Sequence, residues 1–144
     1  MQSPTLVMNT RAAELAKFVV YESPWMCFCD HPRNVLGQPG SEFVAEVPTV
    51  WDDTRFLGGY PGEWIAVARR SGDKWYLGVL NGNEAREVEL TAPFLSGEGR
   101  CRYWSDGEKP TDVVRGEERV PATRGKIRLA AGGGFAAVWE AEGR

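Results

Sequence analysis

Between Thr10 and Pro24, Leu15, Phe18, Val19 and Glu22 fall at helical spacing. Thr10 can cap such a helix, and Pro24 restricts Ser23 to extended geometry, so the pattern predicts a helix from Arg11 to Glu22. The run Trp25-Met-Cys-Phe-Cys, closed by Asp30-His31-Pro32, suits a buried strand and an apolar helical turn equally. Ser41-Glu-Phe-Val-Ala-Glu-Val, ended by Pro48, reads as a second short helix with Ser41 as its cap. The stretch from Thr49 ends in Gly58 and Gly59, a flexible pair.

Beyond that pair the period changes to two, the strand signature. Glu63–Arg69 and Lys74–Leu80 flank Ser71-Gly72-Asp73, a tight hairpin turn, and Asn81-Gly82-Asn83 leads into Arg86–Leu90. Further strands are predicted at Gly99–Trp104, Asp112–Arg115, Glu118–Val120, Lys126–Leu129 and Gly134–Glu140. Strands at this spacing, with polar turns and no crossover helices between them, predict an antiparallel sandwich or barrel.

Length sharpens this picture: 144 residues make one ordinary domain, or a small domain with an appendage. A complete (β/α)₈ barrel, which takes about 250 residues, is excluded. Residues 1–60 carry 4 Lys and Arg against 7 Asp and Glu, whereas residues 61–144 carry 13 of each, so all the excess acidity lies in the first part. A net charge of -3 argues against nucleic acid as a partner. Three cysteines are too few for a disulfide framework, and no apolar run reaches the roughly 18 residues of a membrane span. Met1–Thr10 has no signal-peptide pattern. The first part holds too few apolar residues for a core of its own and must pack against something.

Candidate chemistry is sparse. Cys27, Cys29 and His31 could form a three-ligand zinc edge with Asp30 beside them, but two cysteines in an apolar run read better as small core residues. His31 has no G-x-S-x-G partner and reads as a turn residue. Paired carboxylates for glycosidic chemistry must stand about 5 to 9 Å apart. Asp52 and Asp53 are adjacent and would diverge on a strand, while Glu22, Glu42 and Glu46 read as solvated. Trp75 and Trp139 alternate with apolar neighbours and belong to a core face. Trp104 alternates with Arg100 and Arg102, which makes it the candidate sugar or interface contact. Gly132-Gly-Gly lacks a Walker lysine and reads as a tight turn.

A set of islands in order carries a resemblance. They are Pro4-Thr-Leu-Val-Met, Thr10-Arg-Ala-Ala-Glu-Leu-Ala-Lys-Phe-Val-Val-Tyr-Glu-Ser-Pro, Cys29-Asp-His-Pro, Val47-Pro-Thr-Val-Trp-Asp-Asp-Thr-Arg, Gly62-Glu-Trp-Ile-Ala-Val-Ala-Arg-Arg, Lys74-Trp-Tyr-Leu-Gly and Gly132-Gly-Gly-Phe-Ala-Ala. Together they resemble the C-terminal portion of glycoside hydrolase family 97, a family of α-glucosidases and α-galactosidases. The resemblance implies a mainly β chain: an antiparallel β-sandwich over 60–144, preceded over 1–59 by an α-helical segment like the last βα elements of a catalytic (β/α)₈ barrel. It places the catalytic carboxylates and calcium ligands upstream of this chain, so no catalytic or metal residue is expected here, and calcium is implied only for the full-length enzyme. Trp51, Asp52 and Asp53 match a junction segment and are expected to pack or cap there. Expected partners are the rest of the barrel or a second copy of the chain, and carbohydrate, with no nucleic acid and no membrane. The family implies a periplasmic or secreted location. The alternative is a free-standing β-sandwich that binds carbohydrate or self-associates, with residues 1–60 repacked onto its sheet.

Overall fold

The computed structural model describes residues 8–27, 31–95, 97–121 and 124–142. Among them, three short helices precede the strands: α1 (Arg11–Val20), α2 (Pro32–Val35) and α3 (Ser41–Glu46). The strands are β1 (Asp53–Tyr60), β2 (Trp64–Ser71), β3 (Lys74–Asn81), β4 (Arg86–Thr91), β5 (Glu98–Asp106), β6 (Val113–Pro121), β7 (Arg124–Leu129) and β8 (Gly134–Ala141). Six strands form an antiparallel sheet in the order β1-β2-β3-β8-β5-β6, and β4 pairs with β7 in a second, two-stranded sheet. The fold is mainly antiparallel β, as expected.

Alternation along β2 and β3 decides what covers each face. The pairs Ala66↔Val79 and Ala68↔Leu77 stand on one face, and Val67↔Gly78 and Arg69↔Tyr76 on the other. Toward the two-stranded sheet, Ala66 and Val79 pack with Val88, Leu90 and Leu129. On the opposite face, Leu15 and Val19 of α1 and Phe43 of α3 pack with Tyr76, Trp104, Ala136 and Val138. The first part of the chain thus shares the sheet's core. α1 approaches closely because Gly78 has no side chain: a Cβ there would stand 2.8 Å from the Ala16 carbonyl oxygen and 2.9 Å from Val19 Cβ.

Several boundaries differ from expectation. α1 stops at Val20, two residues early, because Tyr21 is already extended while its N–H closes the last turn on the Lys17 carbonyl. Gly40, not Ser41, caps α3, in a left-handed conformation (φ 96°). α2 was not anticipated; its cap is His31, whose Nδ1 accepts the Arg33 N–H at 3.2 Å, with Pro32 opening the helix. The two short strands expected around residues 112–120 are one strand, β6. Gly58 and Gly59 end no linker: β1 runs through both, so the sheet begins at Asp53, before the expected division at residue 60.

Candidate interaction surface

The helix-bearing side of the sheet is held together by polar ties at both ends of α1 and along α3. Thr10 caps α1, its Oγ1 accepting the Ala13 N–H at 3.1 Å and donating to Asp106 Oδ1 at 2.5 Å. Asp106 also accepts the backbone N–H groups of Ala130 (2.9 Å) and Gly134 (3.1 Å). One carboxylate therefore joins the start of α1, the end of β5 and the turn into β8. Gly132 belongs to the same knot, its carbonyl accepting the Thr10 N–H at 3.0 Å, in keeping with a turn rather than a phosphate loop.

Along α3, carboxylates expected to face solvent are ties instead. Glu42 Oε1 accepts the Trp104 indole N–H at 2.9 Å and pairs with Arg115 at 3.1 Å. Burial pushes the Glu42 carboxyl up, but hydrogen bonds from its own and the Gly40 backbone and from Trp104, with the Arg115 charge, together hold it below the usual carboxylate range. One turn on, Glu46 Oε2 accepts from Arg102 Nη2 at 3.0 Å, and the same guanidinium reaches Glu140 at 3.2 Å. Lys74 completes the row on Glu140 at 2.7 Å and holds that carboxyl low.

These contacts correct the reading of Trp104. It is wholly buried (0%), its ring 5.0 Å from that of Phe43, and so it is neither a sugar platform nor an exposed interface contact. Its alternation with Arg100 and Arg102 misled because α3 covers that face of β5 and the arginines are satisfied by carboxylates at its margin. Trp139 is buried, and Trp75 is half-buried with its ring 4.4 Å from that of Phe94.

At the junction, Trp51 packs edge-on against Tyr76 at 5.3 Å and lies beneath the Arg69 guanidinium at 5.9 Å. Asp52 turns to the β2–β3 hairpin, accepting the Gly72 N–H at 2.8 Å, whereas Asp53 accepts from Thr54 and Arg55 of its own strand. The adjacent carboxylates diverge and flank no shared site. Cys27 is exposed rather than part of the core; Phe28, Cys29 and Asp30 lie outside the described residues. Among the described residues no three His, Cys, Asp or Glu side chains form a group that could hold a metal ion.

Two cavities of similar volume border the sheet among the described residues. One, about 490 Å³, lies between the sheets, walled by Trp75, Leu77, Tyr103, Ile127, Phe135 and Trp139. The Cys101 thiol on its wall is pushed up to about 11 by burial, and burial likewise raises Tyr103, so both stay protonated at neutral pH. The other, also about 490 Å³, is a shallow depression at the β1–β2 corner, lined by Phe56, Tyr60, Pro61, Ile65 and Leu80.

The exposed large hydrophobic residues are concentrated in the first part and β1. Among the described residues they are Met8, Tyr21, Trp25 (83% exposed), Leu36 (72%), Val50, Phe56 and Tyr60; Val114 is the exception. The site is a set of exposed apolar side chains beside a well-packed sheet, with no group of three His, Cys, Asp or Glu side chains placed to hold a metal among the described residues.

Comparison with known proteins agrees with that geometry. Residues 50–140 match the family described as glycosyl-hydrolase 97 C-terminal, oligomerisation. The chain is 39% identical over 141 residues to a retaining α-galactosidase of Bacteroides thetaiotaomicron, covering 93% of this chain and 21% of that protein. It is 35% identical over 132 residues to a probable retaining α-galactosidase of Streptomyces bingchenggensis, covering 88% and 20%. Among solved structures, a family 97 glycoside hydrolase from Pseudoalteromonas sp. strain K8 in complex with acarbose superposes with a TM-score of 0.85 at 31% identity, over 92% of this chain and 23% of that one. A β-arabinopyranosidase superposes at 0.81 with 30% identity, over 93% and 22%. The chain spans about a fifth of the length of the curated relatives it matches. The chain therefore belongs to glycoside hydrolase family 97, and its sheet is that family's C-terminal oligomerisation domain.

Proposed function

We infer that this chain is the non-catalytic C-terminal portion of an α-galactosidase-type glycoside hydrolase. In this reading the β sheet buttresses a helical segment whose exposed side seats the remainder of a catalytic barrel. The observation that carries it is the mixed burial of residues 8–50. Ala12, Ala13, Leu15, Ala16 and Val19 are buried on the sheet, while Met8, Tyr21, Trp25, Leu36 and Val50 stand in solvent. A segment that packs on the sheet and still keeps large apolar side chains in solvent has surface to give to a further partner.

Carbohydrate enters this proposal as substrate of the whole enzyme, and calcium as its metal. A periplasmic or secreted location belongs to it too, on the family resemblance.

The test is in two parts. The purified chain should hydrolyse neither p-nitrophenyl α-galactoside nor the α-glucoside, with or without calcium; turnover by the pure polypeptide overturns the reading. Joined to the remainder of its enzyme, the chain should carry Trp25→Asp and Leu36→Asp poorly: both variants should lower the thermal midpoint of the whole enzyme while leaving the isolated chain as stable as before. An unchanged whole enzyme would remove the barrel-seating role.

A further inference from the structure

Alternation sets Trp75 and Leu77 of β3, Phe135 and Trp139 of β8 and Tyr103 of β5 on the face of the six-stranded sheet that the β4–β7 pair covers. Side chains so placed on inner strands are ordinarily enclosed between the two sheets. Here Leu77, Tyr103 and Phe135 are only half-buried, because they border the cavity of about 490 Å³. The gap has a source in β7. Gly125 is paired with buried Leu90 and shares the inward face with Ile127 and Leu129, and a Cβ built on it would meet nothing within 4 Å. An aromatic floor thus lies beneath a roof that lacks one side chain.

The polar groups around this space decide what it can hold. Arg124 pairs with Glu89, and Lys126 and Arg128 pair with Glu87, so the β7 cations are already neutralised. The Tyr103 hydroxyl is bonded to Glu118 at 3.4 Å, and Asp106 is engaged by Thr10, Ala130 and Gly134. Trp139 differs: it is 8% exposed, and its indole nitrogen is buried without an acceptor among the described residues. That nitrogen lies on the cavity side of β5, since a Cβ on Gly99, which shares a face with Cys101 and Tyr103, would stand 2.3 Å from it. A buried donor left unpaired costs free energy that an acceptor brought by a ligand restores. A sugar, with a hydroxyl on most ring carbons, would find too few open partners on these walls, and an anion would find no unpaired cation among the β7 residues.

We propose that the space between the two sheets is a binding site for a neutral, largely apolar aromatic molecule carrying a carbonyl or ether oxygen. Its ring lies on the floor formed by Trp75, Tyr103, Phe135 and Trp139, and its oxygen takes the Trp139 indole N–H. The volume is within the range of about 300–1,000 Å³ usual for small-molecule sites, and an apolar lining with few polar groups is their usual character. This site goes beyond the non-catalytic role argued above and does not depend on it.

The 144-residue chain is titrated with Prodan, a neutral naphthalene bearing one propionyl carbonyl. Saturable, blue-shifted emission at one site per chain is expected. Gly125→Leu should raise the dissociation constant about tenfold or more by filling the space from β7. Its added side chain enters open space, and circular dichroism with the urea midpoint checks that the variant is folded. Trp139→Phe keeps a ring on the floor but removes the N–H. It should weaken Prodan about fivefold, and weaken N-phenyl-1-naphthylamine, which has no carbonyl, less. Trp25→Asp and Leu36→Asp, at exposed positions outside the cavity, should leave the Prodan constant unchanged. No saturable binding, binding indifferent to Gly125→Leu, or binding abolished by the Trp25 or Leu36 substitutions overturns the proposal. Displacement of Prodan by millimolar methyl α-galactoside overturns the ligand class. None of these results touches the non-catalytic reading, which falls on glycoside turnover alone.

Discussion

Asp106 offers the sharpest energetic test, because one side chain joins three parts of the chain. Its carboxylate accepts the Thr10 hydroxyl at 2.5 Å and the Ala130 and Gly134 backbone N–H groups at 2.9 and 3.1 Å. Asp106→Ala removes the two oxygens that accept from these three donors, while Thr10 stays buried. A hydrogen bond to a charged group is worth about 1.5–3 kcal/mol, and a buried donor left unsatisfied costs about 1–3 kcal/mol. Asp106 is only half-buried, so water recovers part of that loss, and the expected destabilisation is about 2–4 kcal/mol. Asp106→Asn keeps one acceptor oxygen but turns an amide N–H toward backbone donors, and should lose about 1–3 kcal/mol. Urea unfolding followed by tryptophan fluorescence measures both. A cycle with Thr10→Val isolates the hydroxyl contact, for which a coupling of about 1 kcal/mol or more is expected. Hydrogen exchange adds the spatial test: α1 amides should lose protection more than those of β4 and β7. An Asp106→Ala protein within about 0.5 kcal/mol of the parent, the range of an ordinary surface substitution, would refute the argument that this carboxylate holds the helix to the sheet.

Other expectations follow from neighbouring geometry. Gly78→Ala, whose Cβ would stand 2.8 Å from the Ala16 carbonyl oxygen, should displace α1 and cost about 1–3 kcal/mol in the same urea assay. Trp104→Phe should cost about 1–3 kcal/mol by removing volume beneath α3 and the indole N–H from Glu42. The Glu42 and Glu140 carboxyls are both held low in the folded chain, so the stability they contribute is complete above the ordinary glutamate range. It is lost as pH falls through their depressed folded values; the urea midpoint should decline there, and Glu42→Gln with Glu140→Gln should flatten that decline. On a Cys29→Ser background, Ellman's reagent at pH 8 should label exposed Cys27 promptly and Cys101, whose thiol burial pushes up to about 11, only on unfolding.

The β fold was legible because alternation in β2, β3, β4 and β8 reports directly which residues face a core. β1 escaped notice since its central Leu57-Gly58-Gly59 carries a bulge and two side chains too small to alternate, features that only pairing with Trp64 and Ile65 reveals. Trp104 was misplaced for a related reason. Alternation assigns residues to faces but not a cover to each face, and α3, 62 positions away through the Glu42 contact, supplies that cover. Asp106 gave no local signal at all. Its partners lie 96, 24 and 28 positions off, and an aspartate before glycine reads as an ordinary turn. Cys27 failed in the opposite sense: an apolar run suggested burial, yet Trp25 and Cys27 face solvent on the flank assigned here to the barrel.

A helical segment that seats the barrel makes the stability of the domain depend on assembly. Any partner that binds only the folded chain stabilises it by mass action, by about 2.7 kcal/mol at one hundred times its dissociation constant. Contact on Trp25 and Leu36 would act first on the helical segment. The Asp106 knot and the α1–sheet core connect that segment to the sheet, so stabilisation of either must pass through residues the other also relies on. Weakening that connection with Asp106→Ala should therefore free the helical segment from the sheet and reduce the benefit that a barrel bound to the segment confers on β1. Measured as the thermal shift gained on joining the chain to its enzyme, that benefit should be smaller for Asp106→Ala than for Glu63→Gln, which alters an exposed ion pair at the corner and leaves the knot intact. Equal gains in the two variants would mean that the knot does not carry stabilisation from the helical segment to the sheet.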